Sequence, residues 1–154
     1  MAIKLSCYAK QSILGSSGAP GQLSFRNLFT TPKLIICTGN EPLYAETAIN
    51  LSQILITFPT IAWGTSTRSG YTVYLPKGAA VWSDVVGTTG VATFFRFYET
   101  AGALDDGYAE DSGFAKPRIQ GTVGADSMYD LVVADSNYVA GTAKSIDSFQ
   151  LRIF

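Results

Sequence analysis

Histidine is absent from the 154-residue chain. With it go the commonest general base and the commonest neutral metal ligand, so no Ser-His-Asp triad, Cys-His pair or histidine-bearing zinc site can be assembled within this sequence. Cysteine is scarce. Cys7 and Cys37 lie far apart and lack the CxxC spacing of zinc ribbons and thioredoxin-like redox sites. Spacing alone leaves open whether they are two small buried or half-buried thiols or a disulfide, because a disulfide is decided by Cα geometry. Charge is also sparse, at 15% of residues against 47% hydrophobic, where soluble domains average about 25% charged. Lys and Arg number 11 and Asp and Glu 12, a net charge of -1, so the chain has no basic field to hold a phosphate backbone. Direct nucleic-acid binding is not expected. Long apolar runs are missing too: no stretch approaches the ~18 uninterrupted apolar residues of a membrane span. The N-terminus, MAIKLSCYAKQSILGSSG, is broken by Lys10, Gln11 and Ser12 and so lacks the apolar core of a secretion signal. The expectation is a soluble protein made in the cytoplasm, with no membrane partner.

What remains is a chain with 15 glycines, 12% aromatics and much Thr and Ser, the profile of a β protein with many tight turns. Residues 4–14 place Leu5, Tyr8, Ala9 and Ile13 at helical spacing ahead of Gly15. A second short helix is expected after Ser24, where Phe25, Leu28 and Phe29 share a face before Pro32 ends it. Between them, GSSGAPG (15–21) has the composition of a flexible linker. From Lys33 the period changes to two. KLIIC (33–37), QILITF (53–58), GYTVYL (70–75), AAVW (79–82), VATFFRFYE (91–99), RIQGTV (118–123), DLVVA (130–134) and SFQLRI (148–153) read as strands. Pro76-Lys77-Gly78 is expected to join two of them as a hairpin turn. The 91–99 run carries aromatics on both sides, which predicts cover on both faces, and Phe149, Leu151 and Ile153 are assigned to the core. Seven or eight short strands without recurring helices predict an all-β fold: an antiparallel β-sandwich or jelly-roll-like body with one or two short N-terminal helices. The division expected is a helical arm and linker over 1–31 and a β-sandwich body over 32–154, one domain overall.

Candidate chemistry is thin. Asp105, Asp106, Glu110 and Asp111 cluster in a glycine-rich segment that reads as an exposed surface loop, since it lacks the ligand order of a calcium-binding loop. GTTG (87–90) and GTVG (121–124) lack the lysine of a phosphate-binding loop and read as turns. No catalytic, metal or cofactor-binding residue is assigned, and no enzyme is expected. Trp63, Trp82, Tyr71, Tyr74, Tyr98 and Tyr108 suit core packing first, protein interfaces second and sugar stacking third. A weakly charged surface favours association with partners. The residues expected to serve an interface are Leu5, Tyr8, Phe25, Phe29, Tyr71, Tyr74, Trp82 and Tyr108.

Several short segments recur in an order that is familiar. Ile3-Lys4-Leu5-Ser6 and Leu14-Gly15-Ser16 open the chain, followed by Leu34-Ile35-Ile36 with Thr38-Gly39 and Glu41-Pro42. Trp82-Ser83, Phe95-Arg96, then Pro117-Arg118-Ile119 with Gly121 and Val123-Gly124, and the closing Ser145-Ile146-Asp147-Ser148-Phe149 complete the series. Taken together, this order resembles small virion structural proteins of tailed bacteriophages, over nearly the whole chain. The resemblance implies a non-enzymatic component of the particle, of head-decoration or neck and tail accessory type, with other virion proteins and further copies of itself as partners. It places the protein in the virion after synthesis in the host cytoplasm. The alternative expectation is a tail-fibre-associated module that binds a receptor or glycan.

Overall fold

Alternating β-branched and aromatic side chains favour pleated backbone, because each face of a strand can then be buried against a different neighbour. The computed structural model describes residues 3–7, 9, 28–59, 61–65, 67–69, 72–100, 105–113 and 116–153, with backbone alone at 68–69, 72–75 and 150–153. Along it run β1 (Lys4–Leu5), β2 (Pro32–Cys37), β3 (Ile54–Phe58), β4 (Thr67–Ser69), β5 (Thr72–Pro76), β6 (Trp82–Val85) and β7 (Gly90–Val91). β8 (Phe94–Glu99), β9 (Arg118–Gly124), β10 (Leu131–Val132), β11 (Asn137–Tyr138), β12 (Ala143–Ile146) and β13 (Gln150–Ile153) follow. A 3-10 turn, Leu51–Gln53, is the one helical element with a defined span among the described residues; Asn50 caps it and Gln53 reciprocates.

The main sheet has the order β1-β9-β8-β2-β3, all antiparallel, with β10 added parallel to the far end of β9. Smaller sheets pair β13-β5-β4, β12-β6 and β11-β7, again antiparallel. The fold is all-β. Period-two alternation then sorts the main sheet into two unlike faces. Leu34, Ile36, Ile56, Phe58, Phe95, Phe97, Ile119 and Val123 share one apolar cluster with Phe29, Trp63, Trp82, Ile146 and Phe149. Phe149 sits at its centre, its ring 5.7 Å from both Trp63 and Trp82, 6.2 Å from Phe95 and 6.4 Å from Phe97. The opposite face presents Ile35, Cys37, Phe94 and Tyr98, a smaller cluster with Ile49, beside Arg96, Arg118 and Gln120. Every residue of β8 is buried, so the two-sided cover expected for this run is what the chain builds.

Three expectations change. Leu5, assigned to a helix, lies in strand β1 opposite Ile119; Cys7, Ala9 and Leu28 have helical backbone, and the remainder of both expected helices lies outside the described residues. Of the residues expected to form the arm and linker, Ile3, Leu5 and Leu28 pack on the main cluster, and Phe29 is 1% exposed. Pro76-Lys77-Gly78 does not close a hairpin, since β5 pairs with β4 and β13 while β6 pairs with β12; the backbone there instead bridges Trp63 to Lys77. Gly121 and Gly124 belong to strand β9 and not to a turn.

Candidate functional site

A cluster of buried charge lies beneath the loops, among the described residues. On β8 and β9, Arg96 and Arg118 alternate with apolar residues that face the core, which points both guanidinium groups to the other side of the sheet. Both are fully buried. Arg118 donates from Nε and Nη2 to the two carboxylate oxygens of Asp105, at 2.9 and 2.6 Å, and from Nη1 to the Ala45 carbonyl at 3.3 Å. Arg96 donates to Gln120 Oε1 from Nε (3.1 Å) and Nη2 (2.6 Å), and to the Gly107 carbonyl from Nη1 (3.0 Å). Gln120 passes the network on, donating to the Pro42 carbonyl at 2.8 Å. Two guanidinium groups thereby clamp the 41–46 and 105–107 segments to the sheet. The acidic segment expected to be an exposed loop is therefore anchored: Asp105 is 5% and Asp111 4% exposed, with Asp111 accepting from the Lys116 amide at 2.9 Å.

This environment shifts the titrations as burial and charge dictate. Desolvation, then the neighbouring Arg118 charge, pulls Arg96 down to about 10. Burial pushes the Cys37 thiol up to about 12, against the pull of Arg96; Cys7 is exposed, and no disulfide joins the two. For Asp105 burial alone would raise the carboxyl, but its hydrogen bonds to Arg118 and the Gly107 amide outweigh that and hold it below the ordinary carboxylate value. Every polar arm of these groups is turned on the protein itself, which makes the network a clamp. Among the described residues no group of three or more Cys, Asp or Glu could hold a metal ion, and no helix is long and apolar enough to cross a membrane.

The outer surface of the β6-β12 ribbon is of the opposite character. Trp82 and Ile146 turn inward as a cross-strand pair, so their neighbours Ser83 and Ser145, and Val85 and Ala143, pair on the outward side. All four are exposed. Val81, just before the strand, is 73% exposed and Val85 56%. The charged residues of this ribbon, Asp84 and Lys144, oppose each other in the other register, and Lys144 is drawn to Asp135 at 2.9 Å. The result is an outward strip, Val81, Ser83, Val85, Ala143 and Ser145, whose five residues carry no charge; Asp147 stands at its end and accepts from Ser145 at 3.0 Å. Exposed strands are ordinarily guarded by charged side chains, lysine above all.

A groove of about 510 Å³ lies elsewhere, lined in part by Lys77, Ser127, Tyr129, Asp130, Asp147 and Ser148. Its walls are set by two glycines of β9. A Cβ on Gly124 would sit 2.2 Å from the Tyr129 ring, and one on Gly121 3.0 Å from Asp130, so only glycine lets the 125–130 segment lie against the strand. Asp130 is tied there by Thr122, whose amide and hydroxyl donate to it at 3.0 and 2.9 Å.

The residues expected at an interface scatter. Trp82 is fully buried and Phe29 nearly so, which makes both core residues, because their rings complete the aromatic cluster over the main sheet. Leu5 is half-buried against that cluster. Tyr108 is half-buried on the smaller cluster, and its amide donates to Asp106 at 3.0 Å. Tyr74 falls on β5 opposite Thr67 and Arg152, while Tyr8, Phe25 and Tyr71 lie outside the described residues. Val81 and Val85 were missed, although the inward Trp82, one and three residues away, already implies their direction. In comparisons with protein-family models, curated proteins and solved structures, the chain matches none.

Proposed function

We propose that this chain is a structural protein of a bacteriophage virion, of head-decoration or neck and tail accessory type, which acts by adhesion to other virion proteins and to copies of itself and transforms no substrate. The observation that carries the reading is the charge-free outer strip of the β6-β12 ribbon, Val81, Ser83, Val85, Ala143 and Ser145. Such a strip loses little solvation when covered, and valine side chains gain from leaving water. A stable contact of standard size buries about 1,600 Å² in total, so the strip would form its centre with polar residues around it. Repetition on a lattice would add avidity to a modest single contact. The body reads as a sandwich, with Trp82 and Ile146 of the β6-β12 ribbon, Tyr138 of β11, Trp63 and Phe149 packed into one cluster with the apolar face of the main sheet. The phage resemblance supports the setting: Phe95-Arg96 and Pro117-Arg118 fall on the buried clamp, and Gly121 and Val123-Gly124 on the strand that carries the 125–130 segment. Synthesis in the host cytoplasm and residence in the virion follow from that setting.

The test is assembly. Purified chain is mixed with particles that lack it, and binding is compared with that of a Val81→Lys, Val85→Lys variant. The reading expects wild type to bind saturably and the variant to lose at least about tenfold in affinity with its fold intact. Equal binding by both would remove the strip from the contact, and no binding by wild type would overturn the virion role.

A further inference from the structure

We propose that the groove between the Lys77 turn, the 127–130 segment and Asp147-Ser148 is a binding site for a neutral saccharide. Of the five residues of the adhesive strip this inference touches only Ser145, which donates to Asp147, and neither Val81 nor Val85 lines the groove, so the two readings are tested by different variants. The cavity, about 510 Å³, is within the 300–1,000 Å³ range of small-ligand sites. Its walls are rigid: Tyr129 rests on Gly124, and Asp130 is fastened to Thr122. On the facing wall the Lys77 ammonium donates to the Ala80 carbonyl at 2.6 Å and lies 5.6 Å from the centre of the Trp82 ring.

The chemistry of the lining selects the ligand. Two carboxylates, Asp130 and Asp147, stand against one ammonium already turned to backbone carbonyls, so an anionic ligand meets net repulsion. A wholly apolar ligand would strip water from both carboxylates and return no hydrogen bond. A saccharide satisfies what is there. Its hydroxyls donate to carboxylate oxygens, exchange hydrogen bonds with Ser127 and Ser148, and leave a C–H face for the half-exposed Tyr129 ring. The negative field is also partly quenched, since Asp130 accepts from Thr122 and Asp147 from Ser145 at 3.0 Å. That favours an uncharged polyol over a polycation.

Titration of the isotopically labelled full chain with cellobiose, chitobiose and lactose, each in turn, tests the site by amide chemical shifts. At least one disaccharide should move Gly78, Ser127, Tyr129 and Ser148 saturably, with a dissociation constant on the order of 1 mM. Tyr129→Ala should weaken that binding at least about tenfold. Because Tyr129 also supports its own loop, Ser148→Leu is the second variant: it obstructs the groove from an exposed position and should abolish the shifts while the remaining spectrum stays native. Absence of saturable shifts with all three sugars would overturn the proposal. So would shifts that survive both variants, or saturation of the same amides by spermidine in place of any sugar.

Discussion

At the scale of the residue, the decisive groups are arginines that a pattern of alternation presents as ordinary strand surface. Arg96 stands between Phe95 and Phe97, and Arg118 before Ile119, so the period assigns both to the side away from the core; the aromatics of the 91–99 run predict that this side is covered too, without saying which loops cover it. The covering carboxylate comes from Asp105, which looks solvent-bound in a segment rich in glycine and acid, and only the fold brings it to Arg118. Removing one member of a buried ion pair leaves the other charge uncompensated. Asp105→Asn should therefore cost about 3 to 5 kcal/mol at neutral pH, measured by urea unfolding, where the exposed-loop expectation gave almost none. The pH dependence has a definite sign. The folded carboxyl titrates below its unfolded value, ordinarily about 3.9, so its stabilisation is fully present above that pH and is lost as pH falls through the depressed folded value. The gap between wild type and the variant should stay level from neutrality down to about pH 5 and narrow below about pH 4. A gap that widened on acidification would show that Asp105 is not the charged partner of Arg118.

At the scale of the element, legibility followed length. KLIIC, QILITF, VATFFRFYE and RIQGTV are long enough to display their period, and each appears within a residue or three of its expected bounds. β1, β7, β10 and β11 have two residues each, too few to show a period, and they exist because a partner strand supplies the hydrogen bonds. β1 is the instructive case, since helical spacing over 4–14 competes there with pairing to β9 and the pairing wins at Leu5. Ser6 seals that junction: fully buried, its hydroxyl donates to the Lys116 carbonyl at 2.9 Å and accepts from the Arg118 amide at 3.0 Å. Ser6→Ala leaves those groups unpaired and should cost about 1 to 3 kcal/mol by urea unfolding; no measurable loss would show the N-terminal strand to be dispensable. The aromatic cluster was legible at one residue, Phe149, from its alternation with Gln150 and Leu151. Its ring lies among four others, so Phe149→Ala should cost about 3 to 5 kcal/mol, a fall in Tm of roughly 6 to 20 °C in calorimetry for a chain of this size. A fall of only a degree or two would mean that the cluster closes over the gap.

At the scale of the whole molecule, low charge and the proposed adhesion are linked by where the charges lie. Arg96, Arg118 and Asp105 are enclosed, and Lys4 and Lys144 are each drawn to a carboxylate, Glu41 and Asp135. Those seven are a minority of the chain's charged residues, but none of the rest stands on the five residues of the outer β6-β12 strip. Composition announced a sparsely charged surface, yet it could not say which patch lacked charge, because that depends on Trp82 and Ile146 turning inward together. If the strip is adhesive, new charges on it should act on association and not on folding, since exposed substitutions of this kind ordinarily change stability by less than about 0.5 kcal/mol. Val81→Lys with Val85→Lys should thus keep the melting temperature within about 2 °C while shifting concentrated protein to the monomer in sedimentation velocity. Like charges facing across a symmetric contact repel at each repeat of it, so the shift should weaken as salt is raised. A wild-type chain that sediments as a monomer at every concentration would leave adhesion to other virion proteins as the strip's one remaining role, and a variant that associates as wild type does would take self-adhesion away from it.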